Sequence, residues 1–211
     1  MLEHNKYVIK EKVKILSAVQ SYDIFDDRGA LVGTAQESIG VLTQVLRWFV
    51  SKQLLPTRLE VREKPDDSLV FSLRRGWYLF RSRVEVLDSQ DQLVGYFKSK
   101  FFTISGGFHV YDKDDKHFAE VKGKLFGWNY RFLSPDGKVE MGKVSKKLGA
   151  MGILKEMFTS ADSFGVEVSE DLAEEPMAKM LILAATLAID LIYKSESRGG
   201  AGGDALDVLG G

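Results

Sequence analysis

Along most of this chain apolar and polar residues alternate with a period of two, and a short polar turn interrupts the alternation at intervals. Tyr22-Asp-Ile-Phe-Asp26-Asp-Arg-Gly29-Ala-Leu-Val-Gly33 sets the pattern, and Val84-Glu-Val-Leu-Asp88-Ser-Gln-Asp-Gln-Leu-Val-Gly95 repeats it with the same interval to Asp and to Gly. Phe108–Ala119 is a third copy, turning at Asp112, and Tyr130–Met141 a fourth, turning at Ser134-Pro-Asp-Gly137. A looser copy, Leu59–Phe71, falls between the first two. Asp and Ser side chains can bond to nearby backbone N–H groups, and Gly supplies positive φ without steric cost. Alternation on both sides of such a turn predicts a hairpin with one buried face.

Adding an opening strand at Tyr7–Leu16 and a closing one at Ser163–Val168 gives about twelve strands. An open sheet of that size leaves bare edges, so a closed antiparallel barrel is expected. Two segments depart from period two. Residues 36–52 place Ile39, Leu42, Val45, Leu46, Phe49 and Val50 at helical spacing and stop before Pro56, which predicts an amphipathic helix across one barrel end. Residues 176–194 predict a second helix, with Pro176 at its first position. From Met180 to Ile189 it is apolar on every side, narrowed by Ala184, Ala185 and Ala188. Such a helix is wrapped by protein or by lipid. Asp190 interrupts the apolar run before the roughly 18 residues a bilayer crossing asks for. We therefore expect the barrel to enclose this helix, with Asp190 near its end reaching solvent or bonding a strand. The Gly-rich stretch 195–211 reads as a disordered tail, leaving 6–194 as one domain.

Composition narrows the picture without naming a function. Lys+Arg 29 against Asp+Glu 30 leaves no global charge to attract nucleic acid. The chain has no cysteine, which excludes disulfides and thiolate chemistry. The first residues lack the apolar core of a secretory signal, so a cytoplasmic protein, peripherally membrane-associated at most, is the expectation.

One stretch carries a resemblance. Gly142-Lys-Val-Ser-Lys-Lys-Leu-Gly-Ala-Met-Gly-Ile-Leu-Lys-Glu-Met-Phe-Thr-Ser-Ala-Asp-Ser-Phe-Gly-Val-Glu-Val resembles the phospholipid scramblase run of basic strand, connector, E-x-F-T-x-A-D motif and last strand. Met180–Ile192 resembles that family's closing helix, and Tyr7-Val-Ile-Lys-Glu-Lys is similar to the opening strand of the related LURP-one group. The resemblance covers about residues 6–194 and implies a Tubby C-terminal-like fold, a twelve-stranded barrel around its C-terminal helix. It also implies that Ser160–Asp171 matches a proposed calcium loop of animal scramblases. Of the ligand positions in such a loop only the third and the last, Asp162 and Asp171, keep carboxylates, with Ser160 at the first and Phe164 and Val168 at others, while calcium asks for six to eight oxygens. The alternation of Phe164, Val166 and Val168 reads instead as a buried strand.

Further candidates come from charge and aromatic spacing. Arg81/Arg83, Lys98/Lys100 and Lys122/Lys124 sit at i, i+2, which on a strand projects them from one face. Residues 92–155 hold twelve basic residues against six acidic ones, a local excess that could attract anionic lipid headgroups. The competing reading is that outward lysines serve solubility and protect strand edges. His109 and His117 flank one hairpin at positions that can face each other, and the three histidines show no metal-ligand spacing. Trp77, Trp128, Tyr130 and Phe132 are expected in the core or at the rim. No catalytic motif is present, so a non-enzymatic monomer that binds phospholipid or docks at membranes is expected. The alternative is a soluble ligand-binding or interaction module whose protein partner the sequence does not name.

Overall fold

The computed structural model describes residues 1–12, 19–38, 56–76, 83–98, 107–124, 129–146 and 163–199, with the side chains of 124 and 191–199 left out. Twelve antiparallel strands close into one barrel. They are β1 (Lys6–Glu11), β2 (Ser21–Asp26), β3 (Leu31–Ser38), β4 (Thr57–Glu63), β5 (Leu69–Arg75) and β6 (Arg83–Asp88). The circuit continues through β7 (Leu93–Lys98), β8 (Phe108–Asp112), β9 (His117–Lys124), β10 (Asn129–Leu133), β11 (Glu140–Ser145) and β12 (Ser163–Val168). Each strand pairs with its sequence neighbours, and β12 returns to β1. The C-terminal helix α1 (Pro176–Gly199) runs into the interior.

The five predicted hairpins form, and in four of them the side chain of the first turn residue accepts from backbone N–H groups ahead of it. Asp26 Oδ1 accepts from the N–H groups of Arg28 and Ala30 at 2.9 and 2.8 Å. Asp88 does the same for Gln90 and Gln92, and Asp112 for Asp114 and Lys116. In the fourth, Ser134 Oγ accepts from the N–H of Val139. The fourth turn residue is left-handed in each: Gly29, Asp91, Asp115 and Gly137 have φ of 82°, 59°, 59° and 73°. Every hairpin, the looser one included, shifts register near its turn, which turns the chain without leaving the ladder. These five turns all lie at one end of the barrel.

The interior is filled by the inward row of each strand and by α1. Leu181, Ile182, Leu183, Leu187 and Ile189 are 2 % exposed or less, and Ala184, Ala185 and Ala188 at most 1 %. The alanines keep the helix narrow enough for the barrel. Thr186 spends its hydroxyl on the Ile182 carbonyl within the helix, 2.8 Å away, so it adds no unpaired polar group. Glycine also clears the way. A Cβ on Gly95 would lie 2.4 Å from the Tyr111 carbonyl oxygen and 2.9 Å from Leu181. Because the first obstacle is backbone, Gly95→Ala is expected to cost about 3 kcal/mol. Gly76→Ala, with nothing within 4 Å, should leave thermal stability unchanged. Equal melting temperatures for the two variants would contradict this packing.

Two sequence expectations need correction. Gln36, Glu37 and Ser38, assigned above to a helix over 36–52, belong to β3, which stays paired with β4 as far as Ser38 opposite Arg58. The ladder with β4 outweighs the helical spacing of those residues; 39–52 lie outside the described residues. The opening strand stops at Glu11 rather than continuing through Lys12, with 13–16 likewise outside. Among the described residues no helix is long and apolar enough to cross a membrane.

Candidate functional site

The outer wall over β6–β9 gathers the chemistry. Inward Val84, Val86, Phe97, Val110 and Ala119 anchor these strands, and alternation sends their neighbours outward. Register places Arg83 opposite Lys98, and Lys98 opposite His109. Three basic side chains thus stand in one row across β6, β7 and β8. The Arg83 guanidinium lies over the Tyr96 ring, 3.7 Å from its centroid. Tyr96 stacks on Tyr111 at 5.2 Å and 11°, and its hydroxyl donates to Asp115 at 2.7 Å. The hydrogen bond to Asp115 raises the Tyr96 phenol above its ordinary value, with desolvation adding to the effect. Lys98 Nζ approaches the Tyr111 ring at 5.6 Å and has no carboxylate partner among the described residues.

A second basic row has a different balance. Lys122 stands opposite Arg131, and Arg131 opposite Lys143. Each has a carboxylate within 3.0 Å: Glu120, Glu140 and Glu167 respectively. Arg83 is weaker held, with Glu85 3.5 Å from Nε, because Glu85 also serves Arg74 at 2.8 Å. Of the two rows, positive charge is therefore less compensated in the first, at Arg83 and Lys98.

Of the other sequence candidates, Arg81, Lys100 and Asp162 lie outside the described residues, and Lys124 closes β9. Asp171 sits exposed in a short 3-10 turn, Glu170–Leu172. Residues 163–168 between these acids form β12, with Phe164, Val166 and Val168 buried. Trp77 and Trp128 also fall outside, while Tyr130 and Phe132 are core residues.

Asp190 is 3 % exposed and accepts a 2.6 Å hydrogen bond from the Tyr22 hydroxyl of β2. It thus bonds a strand, one of the two environments expected for it. Burial, then the Asp190 charge, pushes the Tyr22 phenol well above its usual range. Glu11 stands opposite Tyr22 in the ladder, and Gln20 and Glu37 adjoin it, so this barrel end has a polar lining. Arg75 is half-buried here as well, and partial desolvation lowers its pKa against the opposing pull of Glu37.

Two arrangements escaped sequence reasoning. A groove of about 560 Å³ lies along β2–β4, lined in part by Lys12, Gln36, Glu60, Arg62 and Lys64. Donor atoms of His4, Asp26 and Asp27 come within 4.8 Å of one another. Both join residues far apart in the chain, and no local spacing announces them.

A protein of Arabidopsis thaliana solved by X-ray crystallography aligns over 92 % of this chain and 91 % of its own, with a TM-score of 0.49 and 12 % identity. The family model described as Scramblase matches residues 3–196, which contain every strand and the buried part of α1, and the chain belongs to the scramblase family.

Proposed function

We propose that this scramblase-related protein docks on anionic phospholipid surfaces through the outer wall of β6–β9, without covalent chemistry. The observation that carries the reading is the row Arg83–Lys98–His109. Like charges directly opposite on neighbouring strands destabilise a sheet. Here Lys98 has no described carboxylate to offset its neighbour, and a phosphate-bearing headgroup would do so. Tyr96 and Tyr111 hold the row from beneath and suit a surface that is apolar on one side and wet on the other. Helix α1 is committed to the barrel core, so lipid contact falls to the outer wall.

Flotation with phosphatidylcholine vesicles, with and without phosphatidylserine, tests the reading. Binding should require the anionic lipid and weaken as salt rises. At about 1 kcal/mol per basic residue near the surface, Arg83→Ala with Lys98→Ala should weaken binding roughly 30-fold. Arg131→Ala with Lys143→Ala should cost less, since those charges are already paired. Equal losses from the two pairs would move the docking face elsewhere, and no binding at low salt would end the reading. Transbilayer movement is a separate step, measured as lipid exchange between leaflets of reconstituted vesicles.

A further inference from the structure

The β8–β9 hairpin brings two imidazoles together on the outer wall. His109 Nδ1 and His117 Nε2 are 3.0 Å apart, with ring centroids at 4.9 Å and planes at 68°. His109 is exposed and His117 half-buried. The pairing is not the direct strand register, which sets His109 opposite Glu120 and His117 opposite Tyr111. The register shift between Val110 and Tyr111 carries the two rings onto one another. A hydrogen bond between neutral groups in water contributes only about 1 kcal/mol. The contact is therefore easily exchanged for a stronger one.

We infer that His109 and His117 form a binding site for a divalent transition-metal ion, with Cu2+ and Ni2+ preferred over Zn2+. Metal–imidazole bonds of about 2.0–2.1 Å set two nitrogens roughly 2.9 Å apart at a right angle and about 3.4 Å apart in a tetrahedron. The observed 3.0 Å matches the right-angle case, the geometry of tetragonal and octahedral ions. One ring must now donate to the other. Binding moves the donating ring's proton to its other nitrogen, so both facing nitrogens present lone pairs with no net proton release. Two oxygen donors are close. The Ala119 carbonyl is 3.1 Å from His117 Nε2, and Glu120 stands opposite His109 on the same face, held 3.0 Å from Lys122. Water reaches the exposed side and completes the shell. The inference does not depend on lipid binding.

The test is titration of the full chain, carrying no histidine tag, with Cu2+ followed by calorimetry and electron paramagnetic resonance. One equivalent should bind with coupling to two nitrogens. His109→Ala and His117→Gln should each weaken it at least tenfold, with no further loss when combined. His4→Ala should leave that equivalent unchanged, which separates it from the His4, Asp26 and Asp27 group. Circular dichroism of each variant should match the parent, so that a loss of binding is not a loss of fold. Coupling to one nitrogen or none, or an affinity that the double variant retains, would overturn the assignment. So would removal of the tight site by His4→Ala.

Discussion

A chain ended after residue 175 will fail to form the barrel. Helix α1 supplies five large apolar side chains at 2 % exposure or less: Leu181, Ile182, Leu183, Leu187 and Ile189. At about 1.5–3 kcal/mol for each such burial, their loss removes roughly 7–15 kcal/mol, as much as a whole domain's typical stability. The inward strand residues that face them would then line a water-filled cavity. The expected product is aggregated or lacks a cooperative thermal transition. Leu183→Asp should act in the same direction, because it places a carboxylate at a fully enclosed position. A truncated chain that melts cooperatively with native-like far-ultraviolet dichroism would mean that α1 is an accessory. In that case the helix would be available for other work, including contact with lipid.

Stability will fall steeply above pH 10, and Tyr22 will carry much of the fall. Burial raises the phenols of both Tyr7 and Tyr22, and the Asp190 charge raises Tyr22 further. The folded protein then keeps protons that the unfolded chain releases above about pH 10. Their contribution is intact below that pH and is lost as the pH climbs toward the raised values. Each tyrosine adds a slope of up to about 1.4 kcal/mol per pH unit. Tyr22→Phe makes a two-sided test. At pH 8 it should cost about 1.5–3 kcal/mol, because it removes a 2.6 Å hydrogen bond to a buried carboxylate. Above pH 10 its stability should decline less steeply than the parent's. Urea melts across pH 8–11 read both effects, and parallel curves for the two proteins would detach the alkaline loss from Tyr22.

Much of the architecture was legible because it is local. Alternation in β6 or β8 needs no partner to be recognised, and neither does a turn in which Asp88 or Asp112 bonds its own backbone two and four residues on. The all-round apolar face of residues 180–189 likewise implied a surrounding wall, and the barrel supplies it. Helical spacing over 36–52 misled at its start. Gln36–Ser38 follow β3 in sequence, and pairing with β4, a segment some twenty residues away, holds them extended.

Charge could not be read in the same way. The basic excess over residues 92–155 includes Lys122, Arg131 and Lys143, yet the structure gives each a carboxylate, and Glu167 comes from outside that stretch. Lys98, in contrast to those three, has no such partner among the described residues, a property of register rather than of composition. The sequence by itself determined the number of strands, their turns and the one helix that had to be covered, since periodicity and turn chemistry act over a few residues. Tertiary structure alone decided that Arg83, Lys98 and His109 share a row, that His109 meets His117, and that Asp190 bonds Tyr22. Those contacts depend on strand register and on bulges, and a shift of one residue would turn each side chain to the opposite face of the wall.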